Sequence, residues 1–394
     1  MTKPAYQRSL VAEIRAGLDR GTPLLHIMIG PRQTGKTTAA AQVAAAWRGE
    51  VHEAAADAAV PHGPEWIQLQ WELARAKRRP GRRVLLVLDE IQKVRGWSET
   101  VKALWDRDRH ALRVLLLGSS SLLVQHGLTE SLAGRFLLHR CGHWSWPEMR
   151  AAFGVGFDDW IYFGGYPGAA AFMRTPEAWA RYINDALVET VIARDVLQLS
   201  AVAKPALLRH LFGLAATHPA EILSYTKMLG QLSDAGNTTT LAHYLVLLEG
   251  AFLISGLEAY KGGRMPRRGS SPKLVVWNNA LVNAVRGDAP ATARADRAWW
   301  GRLVENAAGA HLLGHLAGPG HRVFYWRQGD DEVDYVVKTP KDLWAVEVRS
   351  GAARGERGLR AFLQSHPGAR PFMVGEGGLP VEEFFARPPQ EIFG

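Results

Sequence analysis

The sequence predicts an α/β fold, with a phosphate-binding core at its N-terminal end and a second, smaller α/β domain at its C-terminal end. Three observations predict it. Residues 30–38, Gly30-Pro31-Arg32-Gln33-Thr34-Gly35-Lys36-Thr37-Thr38, fit G-x-x-x-x-G-K-[ST] at every position. An apolar run (Leu24, Leu25, Ile27, Met28, Ile29) precedes them and a helix-prone stretch follows from Ala39 to Trp47. Two more aliphatic runs, Val84–Leu88 and Val114–Leu117, read as strands buried on both faces, as a parallel sheet requires.

The loop's residue types follow from phosphate chemistry. Gly30 and Gly35 let the backbone curl until successive N–H groups face phosphate oxygens. The helix that follows adds the partial positive charge of its N-terminus. Lys36 is placed to reach the β- and γ-phosphates, and the Thr37 hydroxyl to sit on Mg²⁺. The run Val84–Leu88 ends in Asp89-Glu90, where an open α/β sheet presents its ligands. Asp89 would hold Mg²⁺ through water and Glu90 would polarise the attacking water. An acidic helix cap is the structural alternative.

The run Val114–Leu117 ends in Gly118-Ser119-Ser120-Ser121. Ser119 or Ser120 could sense the γ-phosphate or cap the next helix. Arg135, after a tight Gly134 turn, could serve as an arginine finger to a neighbouring subunit or form a surface salt bridge.

Composition narrows the classes. At 394 residues the chain holds two or three domains, and 47% hydrophobic residues exclude disorder. A net charge of +9 fits nucleic acid, an acidic protein or a membrane surface. The single cysteine, Cys141, excludes an internal disulfide and a Cys-rich zinc site. With no signal-peptide core and no apolar run of transmembrane length, the chain reads as cytoplasmic, with no membrane role.

The runs GPRQTGKTT, VLLVLDEIQKV, LLLGSSSLL, LAGRF, FGGYPGA and ARDV, in that order, resemble a prokaryotic group of AAA+ ATPases that carry a C-terminal domain without an agreed function. The resemblance implies an ASCE-type P-loop core over residues 1–148 that hydrolyses ATP with Mg²⁺ and acts as a homo-oligomer, a hexamer among the options. A helical lid would follow over 149–200, where Arg181 and Arg194 could contact nucleotide. A structural pairing of Arg194 with Glu189 or Asp195 is the alternative.

Residues 201–290 read as three short helices and a hairpin, the winged-helix arrangement. The third helix carries Leu241, Tyr244, Leu245 and Leu248 on one stripe, leaving Thr238, Thr239 and His243 to face DNA. Lys261, Arg264, Arg267 and Arg268 would form a basic wing suited to phosphate contact. Protein docking is the other use of such a module.

Residues 291–394 read as helix, three strands, helix, strand. Glu305, Asp334, Glu347 and Arg349 fall at places that resemble the PD-(D/E)XK nuclease superfamily. Glu347 could join Asp334 in holding a hydrolytic Mg²⁺. Arg349 stands where a lysine is expected and stays protonated, so the resemblance implies a site without nuclease activity, a binding relic of that fold. Together these readings describe an AAA+ ATPase with winged-helix and restriction-endonuclease-like parts, acting on duplex or branched DNA by remodelling or translocation. The alternatives are a nucleotide-controlled signalling switch and an ATP-dependent nuclease.

Overall fold

Five parallel strands, β1 (Leu25–Ile29), β2 (Glu50–Ala55), β3 (Val84–Asp89), β4 (Leu112–Gly118) and β5 (Phe136–Arg140), form one sheet in the order β2-β3-β4-β1-β5. The structure is a computed structural model that describes residues 6–20, 22–57, 61–118, 131–197, 202–232, 237–262, 270–316, 318–350 and 357–394. It divides into two units, Met1–Gly142 and His143–Gly394.

In the first unit β1 and β4 are buried throughout and β3 is buried up to Asp89. Their largely aliphatic sequences, interrupted by the buried His26 in β1 and Arg113 in β4, have this cause, since helices cover both faces. Helices α1 (Ser9–Asp19) and α2 (Lys36–Ala45) pack Leu10, Val11, Ile14 and Val43 onto Met28, Leu85, Val87 and Leu115. The alternate residues Leu86 and Leu88 are equally buried, on the side where α3 (Pro64–Ala76) meets β3 and packs against α4 (Trp97–Asp108). Strand β4 lies between β1 and β3, with Ile27 beside Leu116 and Val87 beside Leu115. The ends of β1 and β3 therefore stand one strand apart at the same edge of the sheet.

Strands β2 and β5 are the departures from the sequence reading. Both lie at sheet edges and are only partly buried, so their sequences, EVHEAA and FLLHR, carry no apolar run longer than three residues.

The second unit begins with the helices Trp146–Phe153, closed by a Ser145/Glu148 capping box, and Phe157–Phe163. Residues 182–197, expected as plain lid helix, are wound as π-helix over Tyr182–Val188 and Val191–Leu197. The lid segment thus falls in the second unit. Helices Pro205–Thr217, Tyr225–Gln231 and Thr238–Gly250 lead into an antiparallel ribbon, β6 (Ile254–Leu257) with β7 (Lys273–Val276). The long helix Arg297–His315 then precedes a sheet ordered β11-β10-β9-β8, formed by β8 (Arg322–Gln328), β9 (Asp331–Lys338), β10 (Leu343–Arg349) and β11 (Ala369–Gly375). Strands β8, β9 and β10 are antiparallel; β11 joins β10 in parallel after the helix Arg357–Ser365.

A buried asparagine network ties this unit together. Asn306 accepts from the Val276 amide and donates to the Val276 carbonyl and to Asn279. Asn279 in turn donates to the carbonyls of Ile161 and Leu303, and Asn283 to that of Tyr162. Among the described residues no helix is long and apolar enough to cross a membrane.

Candidate functional site

Six residues join the end of β1 to the first residue of α2, and their conformation explains the glycines. A Cβ on Gly30 would stand 2.0 Å from the Cys141 carbonyl oxygen, so only glycine lets β1 pass this close to the end of β5. Gly35 caps α2 with φ of 86°, and Gln33 takes φ of 60°; both are left-handed values, of the kind from which anion-binding nests of backbone amides are built. The Thr34 hydroxyl, fully buried, donates to the Pro31 carbonyl at 2.9 Å and lies 3.1 Å from that of Cys141. The Lys36 ammonium donates to the carbonyls of Gly30 at 2.9 Å and Pro31 at 2.6 Å. Arg8, which no motif marks, braces the loop from the start of α1 by donating to the carbonyls of Thr34 and Gly142.

Opposite the loop, the Thr37 hydroxyl donates to Asp89 Oδ2 at 2.7 Å. Asp89 Oδ1 accepts the Glu90 amide at 2.7 Å, which fixes the carboxylate plane. Glu90 itself has φ of 53° and so occupies a left-handed conformation that costs a non-glycine residue energy. Gln92 Nε2 donates to Glu90 Oε2 at 2.6 Å, and Lys93 lies 3.6 Å from the same oxygen. The donor set at this edge is hydroxyl plus carboxylate, hard oxygens of the kind Mg²⁺ prefers.

Arg135 is elsewhere. It immediately precedes β5, and its carbonyl accepts from Leu25 at the start of β1, the far end of the sheet from the P-loop. Its exposed guanidinium pairs with Asp106 at 2.8 Å. Ser119 and Ser120 lie outside the described residues, as do Arg264, Arg267 and Arg268. Thr238, Thr239 and His243 are exposed on their helix, and Lys261 is exposed after β6. Glu189 is bonded by Arg209 at 3.1 Å.

The four C-terminal candidates converge, with additions that the sequence reading missed. Asp334 Oδ2 accepts the Val348 amide at 2.8 Å, which places Glu347 beside it on β10. Glu305 and Glu332 approach Asp334 so closely that one oxygen from each lies within 4.8 Å of the others. Among them stands Lys273, the first residue of β7 and 0% exposed, with Nζ 2.6 Å from Glu305, 3.3 Å from Glu332 and 3.8 Å from Asp334. Burial opposes the charge on Lys273, but Glu305 and Asp334 override it and raise the ammonium above the ordinary lysine value. Burial and Glu305 push Asp334 up to about 7; burial and Asp334 push Glu347 up to about 8. Arg349 Nε is buried without a hydrogen-bond partner among the described residues. No local pattern could have named Lys273, because it lies on another module of the chain.

A further basic feature lies before β3. Residues 77–83, Lys-Arg-Arg-Pro-Gly-Arg-Arg, form an exposed turn before β3, closed by the Arg82 amide donating to the Arg79 carbonyl. Arg78, Arg79, Arg82, Arg83 and His110 line a shallow groove of about 530 Å³ there.

Residues 23–150 match the family described as AAA domain. Residues 155–292 and 300–380 match two families each described as a domain of unknown function (DUF8612 and DUF4143). Uncharacterized proteins of Mycobacterium tuberculosis and Mycobacterium bovis are each 26% identical over 388 residues, covering 96% of this chain and 82% of theirs. One from Haemophilus influenzae is 22% identical over 283 residues, or 68% of this chain and 66% of its own. Among solved structures, the Aeropyrum pernix ORC1 protein in complex with DNA covers 75% of this chain and 95% of its own at 14% identity. Its TM-score is 0.31.

Proposed function

Because the chain is a prokaryotic AAA+ P-loop ATPase joined to a C-terminal domain of unknown function, we propose that it hydrolyses ATP at the Lys36–Thr37–Asp89–Glu90 edge and couples that hydrolysis to work on DNA. The observation that carries the hydrolytic reading is the 2.7 Å approach of Thr37 to Asp89, with Glu90 next along the chain. Residues 30–38 bind the phosphates, their amides directed by the left-handed turns at Gln33 and Gly35. Lys36 exchanges its two loop carbonyls for β- and γ-phosphate oxygens. Thr37 and Asp89 would hold Mg²⁺, which when bound neutralises charge on the same oxygens. Glu90 orients the attacking water and takes its proton, while Gln92 holds one carboxylate oxygen in place. Ser119 or Ser120 would sense the γ-phosphate.

Arg135 lies too far along the sheet to serve its own nucleotide; β1 alone is roughly 17 Å long. A catalytic role for it would require a second copy, so the arginine-finger and homo-oligomer readings stand or fall together. The DNA reading rests on charge: the net +9, Lys261 and the arginine turn of residues 78–83 all suit phosphate contact. On this reading residues 201–290 act as a winged helix in the cytoplasm, with Thr238, Thr239 and His243 toward DNA. The alternative is a nucleotide-controlled switch in which this module docks a protein.

Phosphate release measured against linear, single-stranded and branched DNA tests the proposal. Stimulation by DNA that disappears in Lys36→Ala supports it. Slow turnover indifferent to every DNA supports the switch. No nucleotide retention and no phosphate release would remove the ATPase reading itself.

A further inference from the structure

The resemblance of residues 291–394 to PD-(D/E)XK nucleases implies a divalent cation held by Asp334 and Glu347. The residues present do not fit one. The space bounded by the oxygens of Glu305, Glu332 and Asp334 already contains the Lys273 ammonium, 2.6 Å from the nearest oxygen and within 3.8 Å of all three residues. A magnesium ion needs oxygen ligands at about 2.1 Å, so the same carboxylates cannot serve both. Two cations crowded into one buried pocket would also repel strongly.

Lys273 has no route out. Its side chain is 0% exposed, and its ammonium lies 4.9 Å from the centre of the Tyr335 ring. Tyr335 is locked in turn, its hydroxyl donating to the Glu305 carbonyl at 2.7 Å. The backbone of β7 is held at Val276 by Asn306 and at Leu274 by the carbonyl of Glu221. Arg302 adds a second positive charge 3.5 Å from Glu305. Glu305, Glu332 and Asp334 thus find their counter-charge within the chain.

We propose that the Lys273 ammonium is the built-in cation of this site, standing where the related nucleases place a metal ion. The C-terminal fold of this chain is then a metal-free form that does not cut phosphodiesters, and its acids serve to clamp β7 against the C-terminal sheet. This inference stands on the second unit alone and is independent of the ATPase reading.

It predicts that removing the amine uncovers the metal site. Free Mn²⁺ is followed by electron paramagnetic resonance as it is titrated into the nucleotide-free full chain. Lys273→Met should gain one Mn²⁺ site per chain, at least tenfold tighter than any in the wild type, and adding Asp334→Asn should remove it. The wild type and its Asp334→Asn variant should take up Mn²⁺ alike. A folded Lys273→Met protein, judged by circular dichroism, that gains no site overturns the proposal. So does wild-type Mn²⁺ uptake that Asp334→Asn abolishes. Should Lys273→Met fail to fold, the wild-type pair decides alone, together with an assay for Mn²⁺-dependent cutting of duplex DNA. Cutting that is lost in Glu347→Ala overturns the proposal, and its absence supports it.

Discussion

The Thr37 hydroxyl donates to Asp89 Oδ2 at 2.7 Å although 51 residues and an intervening strand separate them. The bond exists because β4 sits between β1 and β3, which sets α2 and the end of β3 at one edge. Two substitutions separate binding from chemistry there. Lys36→Ala should lower ATP turnover by roughly a hundredfold or more and weaken nucleotide retention. Glu90→Gln should keep nucleotide bound while phosphate release falls by a similar factor. Filter retention of labelled ATP beside phosphate release distinguishes the two.

The two P-loop glycines should differ in their cost. Gly30→Ala drives a methyl into the Cys141 carbonyl and forces β1 from β5. A loss of about 3 kcal/mol is expected. Gly35→Ala meets nothing within 4 Å, so only its φ of 86° is penalised, by about 1 kcal/mol. Urea unfolding of the two variants should rank them in that order.

The first unit should lose stability in mild acid through His26. His26 lies 2.9 Å from His139, which reaches Glu13 at 3.0 Å. Burial, the neighbouring His139 and Arg113 hold His26 down at about 4, below its ordinary 6.5. A depressed histidine must be neutral to stay buried. Its contribution is therefore complete above pH 6.5 and is lost as pH falls toward 4, by about 2 kcal/mol at pH 5. His26→Gln should flatten that part of the stability profile; an unchanged difference between variant and wild type from pH 7 to pH 5 would refute the assignment.

Asn306 should be worth more than its size suggests. Replacing it with alanine leaves the Val276 amide and carbonyl and the Asn279 Oδ1 without this partner in a buried setting. A cost of about 3 kcal/mol follows from stranding those groups. A melting curve of Asn306→Ala within a degree of the wild type would contradict the network's role.

DNA binding, if dominated by phosphates, should fall steeply with salt. Replacing Arg78, Arg79, Arg82 and Arg83 by alanine should weaken binding across all sequences alike. The slope of log affinity against log salt should shrink by about 0.9 for each arginine that touches a phosphate. Affinity insensitive to ionic strength would exclude this surface.

Where the sequence could be read, burial made it readable. Strands β3 and β4 are enclosed on both faces, so their aliphatic runs leave one interpretation. The stripe Leu241, Tyr244, Leu245, Leu248 is buried as its spacing predicts. Strands β2 and β5 were invisible for the converse reason, since an edge strand needs no continuous apolar run. The π-helical winding of residues 182–197 has no compositional signature that periodicity could detect.

By itself the sequence determined the phosphate loop and the acids that end β3, because each rests on residue types at short fixed spacing. Only the tertiary structure decided what becomes of the C-terminal acids. Their cation, Lys273, arrives from 32 residues before Glu305 on a strand of another module. A buried charge must find its counter-charge in space, and the chain's order imposes no distance at which it must be found.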